Sequence, residues 1–270
     1  MLNVSGNDAI GVFDSGLGGL TVVREIIRLL PEEDVVYFGD VARLPYGNKS
    51  RETVIKFSVE NSLFLLSRGI KLLVVACNTA TALALEFLQS IFSIPVVGVV
   101  DPVVERVAKM SPNEVAVIGT VSTIRSGVYQ SRLREFGVSR INAKACPLLV
   151  PTIEAGYVGR PICDEIIRDE ISPVLGRNTD LLLLACTHYP IIKRRIKTLF
   201  PKVRIVDSAL PTAKAVKKLL DDYGIRKKHG VGTLELFVSD MPNDFEAIAR
   251  KFLGKDMDDV KVRKVGDVLY

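Results

Sequence analysis

Cysteine and histidine are scarce in this chain, with four of the first and two of the second in 270 residues. No two cysteines form a CxxC pair, which excludes a dithiol redox motif and a zinc ribbon. Two histidines leave no cluster from which to build a metal centre. Four cysteines over this length do not make a disulfide framework, so in a reducing compartment all should stay thiols. Long apolar runs are also missing. Leu181–Ala185 is short and flanked by charge, far below the ~18 residues that a membrane span needs. Met1–Ala9 lacks the basic-then-apolar order of a signal peptide, so a cytoplasmic address and no membrane partner are expected. Neither a GxGxxG nor a P-loop is present, which argues against a nucleotide cofactor. The basic clusters Lys193–Arg195 with Lys197, and Arg226–Lys228, carry no interleaved aromatic platform. They read as solvated helix faces rather than a nucleic-acid surface.

What is present is globular composition: 48% apolar and 25% charged residues, with a formal charge of +5 that mildly favours an acidic small substrate. Apolar, β-branched runs recur at Ala9–Phe13, Val35–Phe38, Leu72–Ala76, Val96–Val99, Val115–Ile118, Leu181–Ala185 and Val203–Val206. Between most of them lie patterns of helical period, such as Leu20–Leu30 and Val54–Leu66. Strands alternating with helices predict parallel sheets covered on both faces, with ligand sites beyond the carboxyl ends of the strands.

The chain also repeats itself. Leu72-Leu73-Val74-Val75-Ala76-Cys77-Asn78-Thr79 matches Leu181-Leu182-Leu183-Leu184-Ala185-Cys186-Thr187-His188. Each puts a cysteine, then hydroxyl or amide residues, after a buried strand and ahead of a helix. Each is followed by a strand that ends near an aspartate, Asp101 or Asp207. Asp14-Ser15-Gly16 precedes Cys77 by nearly the distance at which Gly119-Thr120 precedes Cys186. Two α/β domains of equivalent topology follow: 1–98 with 211–270 as the first, 99–210 as the second. The last segment should supply a helix (Thr212–Asp222), a strand (Thr233–Val238) and a helix (Asn243–Phe252) to the first domain. If the halves face each other, Cys77 and Cys186 approach one bound molecule from opposite sides, as inversion at a stereocentre requires.

Each motif has an ordinary reading beside the chemical one. Cys146 and Cys163 read as buried core thiols. Cys77 and Cys186 differ in their symmetric position, where a helix N-terminus should stabilise thiolate and lower the pKa from ~8.5. His188 is either a satisfied histidine at a helix start or an acid/base partner for Cys186. His229 reads as surface. Asp14-Ser15-Gly16-Leu17-Gly18-Gly19 is either a plain βα turn or a cradle where backbone N–H groups meet a small anion. Pro45-Tyr46-Gly47 is a tight turn that could also rim the cleft, and Glu154 either caps a helix or gives its carboxylate to the site.

These motifs, in their order along nearly the whole chain, resemble those of the glutamate racemases in the aspartate/glutamate racemase family. The resemblance implies two pseudo-symmetric α/β domains, each a mainly parallel sheet covered by helices, with the active site in the cleft between them. It implies interconversion of L- and D-glutamate for peptidoglycan synthesis, with no pyridoxal phosphate, no other cofactor and no metal. On that pattern Cys77 is the base toward D-glutamate and Cys186 the base toward L-glutamate. Asp14 and His188 assist the thiols, supported by Glu154 and by Asp40. Asp14, Ser15, Tyr46, Gly47, Asn78, Thr79, Thr187 and His188 would hold the substrate, with Thr120 and Thr123 extending that shell. The partner is the small-molecule substrate, and a homodimer is allowed. Two departures stand apart from the chemistry: Ala185 where a glycine is frequent, and Asp101-Pro102-Val103 without a common glycine. The alternatives are an aspartate or hydantoin racemase and, in a different class, a non-catalytic regulatory protein on the same fold.

Overall fold

The computed structural model describes residues 4–241, 245–254 and 261–265. Its strands are β1 (Ala9–Asp14), β2 (Val35–Gly39), β3 (Ile70–Val75), β4 (Val96–Gly98), β5 (Val115–Gly119), β6 (Ile141–Ala145), β7 (Leu181–Ala185), β8 (Arg204–Asp207), β9 (Leu234–Val238) and β10 (Lys261–Lys264). They form two separate sheets, one ordered β10-β9-β2-β1-β3-β4 and the other β6-β5-β7-β8. Every pairing is parallel. The order β2-β1-β3-β4 recurs as β6-β5-β7-β8, so the sequence repeat is a repeat of topology.

Where the sheets differ, the sequences say why. Strands β1, β3 and β7 are central and buried along their whole length, which their near-continuous aliphatic sequences permit. Strand β2 is buried because β9 pairs with it from Val35↔Leu234 to Gly39↔Val238. Its counterpart β6 is an edge, partly exposed, and reads Ile-Asn-Ala-Lys-Ala. A polar edge strand with a lysine resists further pairing. Its lack of an apolar run is why sequence patterning overlooks it.

The helices that matter for the site are α1 (Leu20–Leu29), α2 (Arg51–Leu66), α3 (Asn78–Ile91), α4 (Val100–Ala108), α5 (Val121–Arg125), α6 (Val128–Glu135) and α7 (Leu149–Glu154). After them come α8 (Pro161–Ile171), α9 (Lys193–Leu199), α10 (Ala209–Asp222) and α11 (Phe245–Leu253). The expected last helix began at Asn243, which lies outside the described residues. Helix α1 is strongly amphipathic and buries Leu20, Val22, Val23 and Ile26 against the first sheet and α10. Beneath the strand ends, Lys71 and Glu33 form an ion pair at 2.6 Å with both side chains fully buried. Lys71 Nζ also donates to the Gly6 carbonyl at 2.6 Å, and the Lys227 amide donates to Glu33 at 2.7 Å. This pair ties the segments at Gly6 and Lys227 to the first sheet. Among the described residues no helix is long and apolar enough to cross a membrane.

Candidate active site

The carboxyl ends of β1 and β3 in one sheet and of β5 and β7 in the other converge on a single small cavity. Ser15, Tyr46, Gly47, Cys77, Asn78, Thr79, Thr120, Glu154, Cys186, Thr187 and His188 all line it. Leu44, Pro45 and Val150 complete the wall. No lysine or arginine is among these residues. The free volume among them is about 30 Å³, where one water needs roughly 10–15 Å³. The two halves therefore leave little free space between these side chains.

Cys77 follows β3 and is the N-cap of α3. Its Sγ accepts from the Ala80 amide at 3.5 Å and lies 3.5 Å from Ser15 Oγ. The expectation that a helix N-terminus lowers this thiol is overturned. Burial pushes it up to about 12, with the neighbouring Asp14 adding to the shift and the bonds to Ser15 and Ala80 opposing it. Dehydration outweighs the helix dipole here.

Cys186 follows β7 but does not open a helix, contrary to the sequence expectation. Thr187 and His188 lead into a 3₁₀ turn at Tyr189–Ile192, and α9 begins only at Lys193. Its electrostatic partner is a side chain instead. His188 Nδ1 lies 4.0 Å from Cys186 Sγ, and His188 Nε2 is 3.0 Å from Glu154 Oε1. Burial alone would lower the histidine. The bonds to Cys186 and Glu154 overcome that and raise it to about 10. An imidazolium thus stands beside the second sulfur.

Asp14, at the end of β1, is fully buried behind the cavity rather than in its wall. Burial raises its carboxyl above the usual range, against the pull of His188 and bonds from the Gly19 and Gly16 amides and Thr187. Thr187 Oγ1 donates to Asp14 Oδ1 at 3.3 Å across the two halves. Glycine is needed at two neighbouring points. A Cβ on Gly18 would fall 2.6 Å from His188 Nδ1, and one on Gly19 the same distance from Asp14 Cβ.

Thr79, Thr120 and Thr123 form a triangle of hydroxyls, with Oγ1 separations of 2.9, 3.0 and 2.9 Å. Thr123 is fully buried behind the other two, so it buttresses them instead of facing the cavity. Asn78 Oδ1 accepts from Tyr129 OH at 2.5 Å. Its Nδ2, buried with no hydrogen-bond partner among the described residues, is a free donor on a residue of the wall. A buried donor of this kind calls for an acceptor.

Asp40 is buried away from the cavity. It accepts from Tyr46 OH, from Arg43 Nε at 2.7 Å and from Ser239 Oγ at 3.0 Å. Asn61 Nδ2 adds a bond to Tyr46 OH at 3.1 Å. Asp40 is therefore the anchor of the Tyr46–Gly47 rim. Gly47 lies so close to Thr120 that an added Cβ would meet Thr120 Cβ at 2.5 Å.

Sequence patterning overlooked Leu44 and Val150. The second was within reach, since Val150 stands one helical turn before Glu154 on α7 and shares its face. Cys146 and Cys163 are buried away from the cavity, and His229 is exposed. Among the described residues no group of three or more His, Cys, Asp or Glu could hold a metal ion.

The sequence profile of the Asp/Glu/Hydantoin racemases matches residues 10–216. The glutamate racemase of Geobacter metallireducens is 46% identical over 256 residues, covering 93% of this chain and 95% of that one. That of Aquifex aeolicus is 42% identical over 250 residues, covering 92% and 95%. Among solved structures, glutamate racemase from Francisella tularensis in complex with D-glutamate superposes with a TM-score of 0.89 at 35% identity, covering 96% of this chain and 98% of that one. The resemblance seen in the motifs therefore extends to the whole chain and its three-dimensional form. This chain belongs to the Asp/Glu/Hydantoin racemase family and is an amino-acid racemase, an isomerase.

Proposed function

We propose that this racemase interconverts L- and D-glutamate, with Cys77 and Cys186 as the two acid/base groups, and supplies D-glutamate for peptidoglycan synthesis. The observation that carries the reading is that two thiols, each at the end of the equivalent strand of a different sheet, line one small cavity. The names of the curated relatives support the choice of glutamate.

From L-glutamate, the Cys186 thiolate takes the α-proton and becomes a thiol. The electron pair left on Cα delocalises into the α-carboxylate. The Cys77 thiol then delivers its own proton to the opposite face and becomes thiolate, leaving D-glutamate. The reverse reaction uses the same groups in the other order. An α-proton is a very weak acid, so a basic sulfur and dry surroundings are both needed. Burial supplies both at once for Cys77, because the dehydration that raises its thiol makes its thiolate a stronger base. His188, holding its proton against Glu154, puts a positive charge beside the other sulfur. Asn78 Nδ2 and the hydroxyls of Ser15, Thr120 and Thr187 are the donors for the substrate carboxylates. The free volume at the site is small, about 30 Å³, and in this reading residues 99–210 move relative to 1–98 with 211–270 to let glutamate in and out.

The reading is of a cytoplasmic enzyme acting on a small molecule, without nucleic-acid or membrane partners and with a homodimer allowed. The experiment compares kcat/KM for L-glutamate and L-aspartate on one preparation by loss of optical rotation. Donors fixed in position should favour glutamate by more than the ~1–3 kcal/mol that one methylene brings in an apolar pocket. Equal values, or a preference for aspartate, would remove the substrate assignment. No turnover of either would remove the enzyme assignment.

A further inference from the structure

The aromatic ring of Phe252 packs on His188 in a T-shaped contact, with centroids 5.3 Å apart and planes at 80°. Phe252 belongs to α11, which lies between β9 and β10 in the chain, and both strands belong to the first sheet. His188 follows β7 of the other sheet. The contact therefore crosses from one half to the other at the histidine beside Cys186.

The hydrogen bonds of His188 leave a gap that this ring fills. Nδ1 faces Cys186 Sγ at 4.0 Å and Nε2 faces Glu154 Oε1 at 3.0 Å. Both contacts are made through the ring nitrogens, so neither hydrogen bond opposes rotation of the ring about the line through them. A perpendicular aromatic ring blocks that motion, and such pairs favour this geometry. Phe252 is itself firmly seated. It is 2% exposed, its carbonyl accepts from Arg24 on α1 at 3.4 Å, and Ala249 one turn earlier is fully buried in the same core.

We propose that Phe252 is a positioning residue for His188, so that the imidazole beside Cys186 is held in its working orientation only when the two halves are closed. The inference rests on the two-thiol reading. Loss of the ring should slow the proton transfer at Cys186 and leave the one at Cys77 intact.

Rate constants alone cannot reveal this asymmetry. The two enantiomers are equal in free energy, so kcat/KM must fall equally in both directions. The primary isotope effect does separate the steps. Phe252→Leu keeps apolar bulk and removes the ring, while Phe252→Ala removes both. Each variant is assayed with α-deuterated L-glutamate and α-deuterated D-glutamate, beside thermal unfolding. Phe252→Leu should melt near wild type and lose about tenfold in kcat/KM, the scale set by small misplacements of a working group. Its isotope effect should rise with L-glutamate, which Cys186 deprotonates, and fall with D-glutamate. Unchanged kcat/KM in Phe252→Leu, or a loss in which both isotope effects move together, overturns the proposal. A wild-type enzyme that fails to racemise glutamate would instead overturn the reading on which it rests.

Discussion

Gly18→Ala is the smallest perturbation that should disable the site from outside the substrate's reach. Gly18 lies in the turn between β1 and α1, and its backbone is not in the left-handed region, so alanine is tolerated there conformationally. The new methyl, however, falls 2.6 Å from His188 Nδ1 and closer still to Thr187 Oγ1. Restoring ordinary contact of at least 3.4 Å requires about 1 Å of movement by the Thr187–His188 segment. A 1 Å misplacement of working groups costs about 10²-fold in rate. Stability should change much less. Overpacking costs roughly 1–3 kcal/mol, and the stiffer unfolded chain returns about 0.4–1 kcal/mol. The net loss of ~1–2 kcal/mol lowers Tm by only a few degrees in a chain of this size. Initial racemisation rates and a urea titration measure both quantities on one sample. Gly16→Ala is the control, since its methyl would meet nothing nearer than Leu44 Cδ2 at 3.6 Å. The reasoning is refuted if folded Gly18→Ala stays within twofold of wild-type kcat/KM, or if Gly16→Ala loses as much.

Three further outcomes are expected. Cys77→Ala and Cys186→Ala should each abolish racemisation, leaving at most exchange of the α-proton from a single enantiomer, read by NMR in D₂O; racemisation by either would refute the two-base reading. Glu154→Gln removes one of the two acceptors that raise His188 to about 10, so the alkaline limb of the kcat/KM profile should move to lower pH. Stability shifts in the same sense: the folded value lies above the ordinary 6.5, so the stabilisation is complete below about 6.5 and lost as pH rises through about 10. The gap in urea midpoint between wild type and Glu154→Gln should therefore close over that window, and a constant gap would refute it. Lys71→Met leaves Glu33 buried without its cation and should cost ~3–5 kcal/mol by chemical denaturation, most of it recovered in Lys71→Met with Glu33→Leu; a loss below 1 kcal/mol would show that the pair is not buried in solution.

Legibility in the sequence followed burial. The central strands announced themselves because a strand covered on both faces must be aliphatic throughout, as Leu181–Leu184 is. The edge strand β6 carries no such run because water reaches it, and in β10 Arg263 and Lys264 are likewise exposed. The cysteine pair was visible because a repeat in the chain became a repeat in space. The electrostatics of those cysteines were not. A motif shows a helix start, but the depth of burial that drives Cys77 up to about 12 depends on the opposing half closing over it. Asp40 and Thr123 illustrate the same limit, since the family resemblance offered one as support for the thiols and the other as an extension of the substrate shell, and packing turned one to Tyr46 and the other to Thr79. Phe252 could not be found at all, because its partner His188 lies on a different sheet and nothing local marks the contact.

The pairing of β2 with β9 has a consequence for biosynthesis. Asp34 at the foot of β2 bonds Thr233 at the foot of β9, 199 residues later. The four strands β5 to β8 all lie between those two points, so their sheet can be completed while β2 still has a bare flank. That flank is apolar, Val-Val-Tyr-Phe, and carries a row of unsatisfied backbone groups until β9 leaves the ribosome. Long-range pairing of this kind is slow, and an exposed strand edge is a template for aggregation. Nascent chains stalled before Leu234 should therefore hold a folded second sheet beside an adhesive first one, making the interval before β9 emerges the period when the protein most depends on a chaperone.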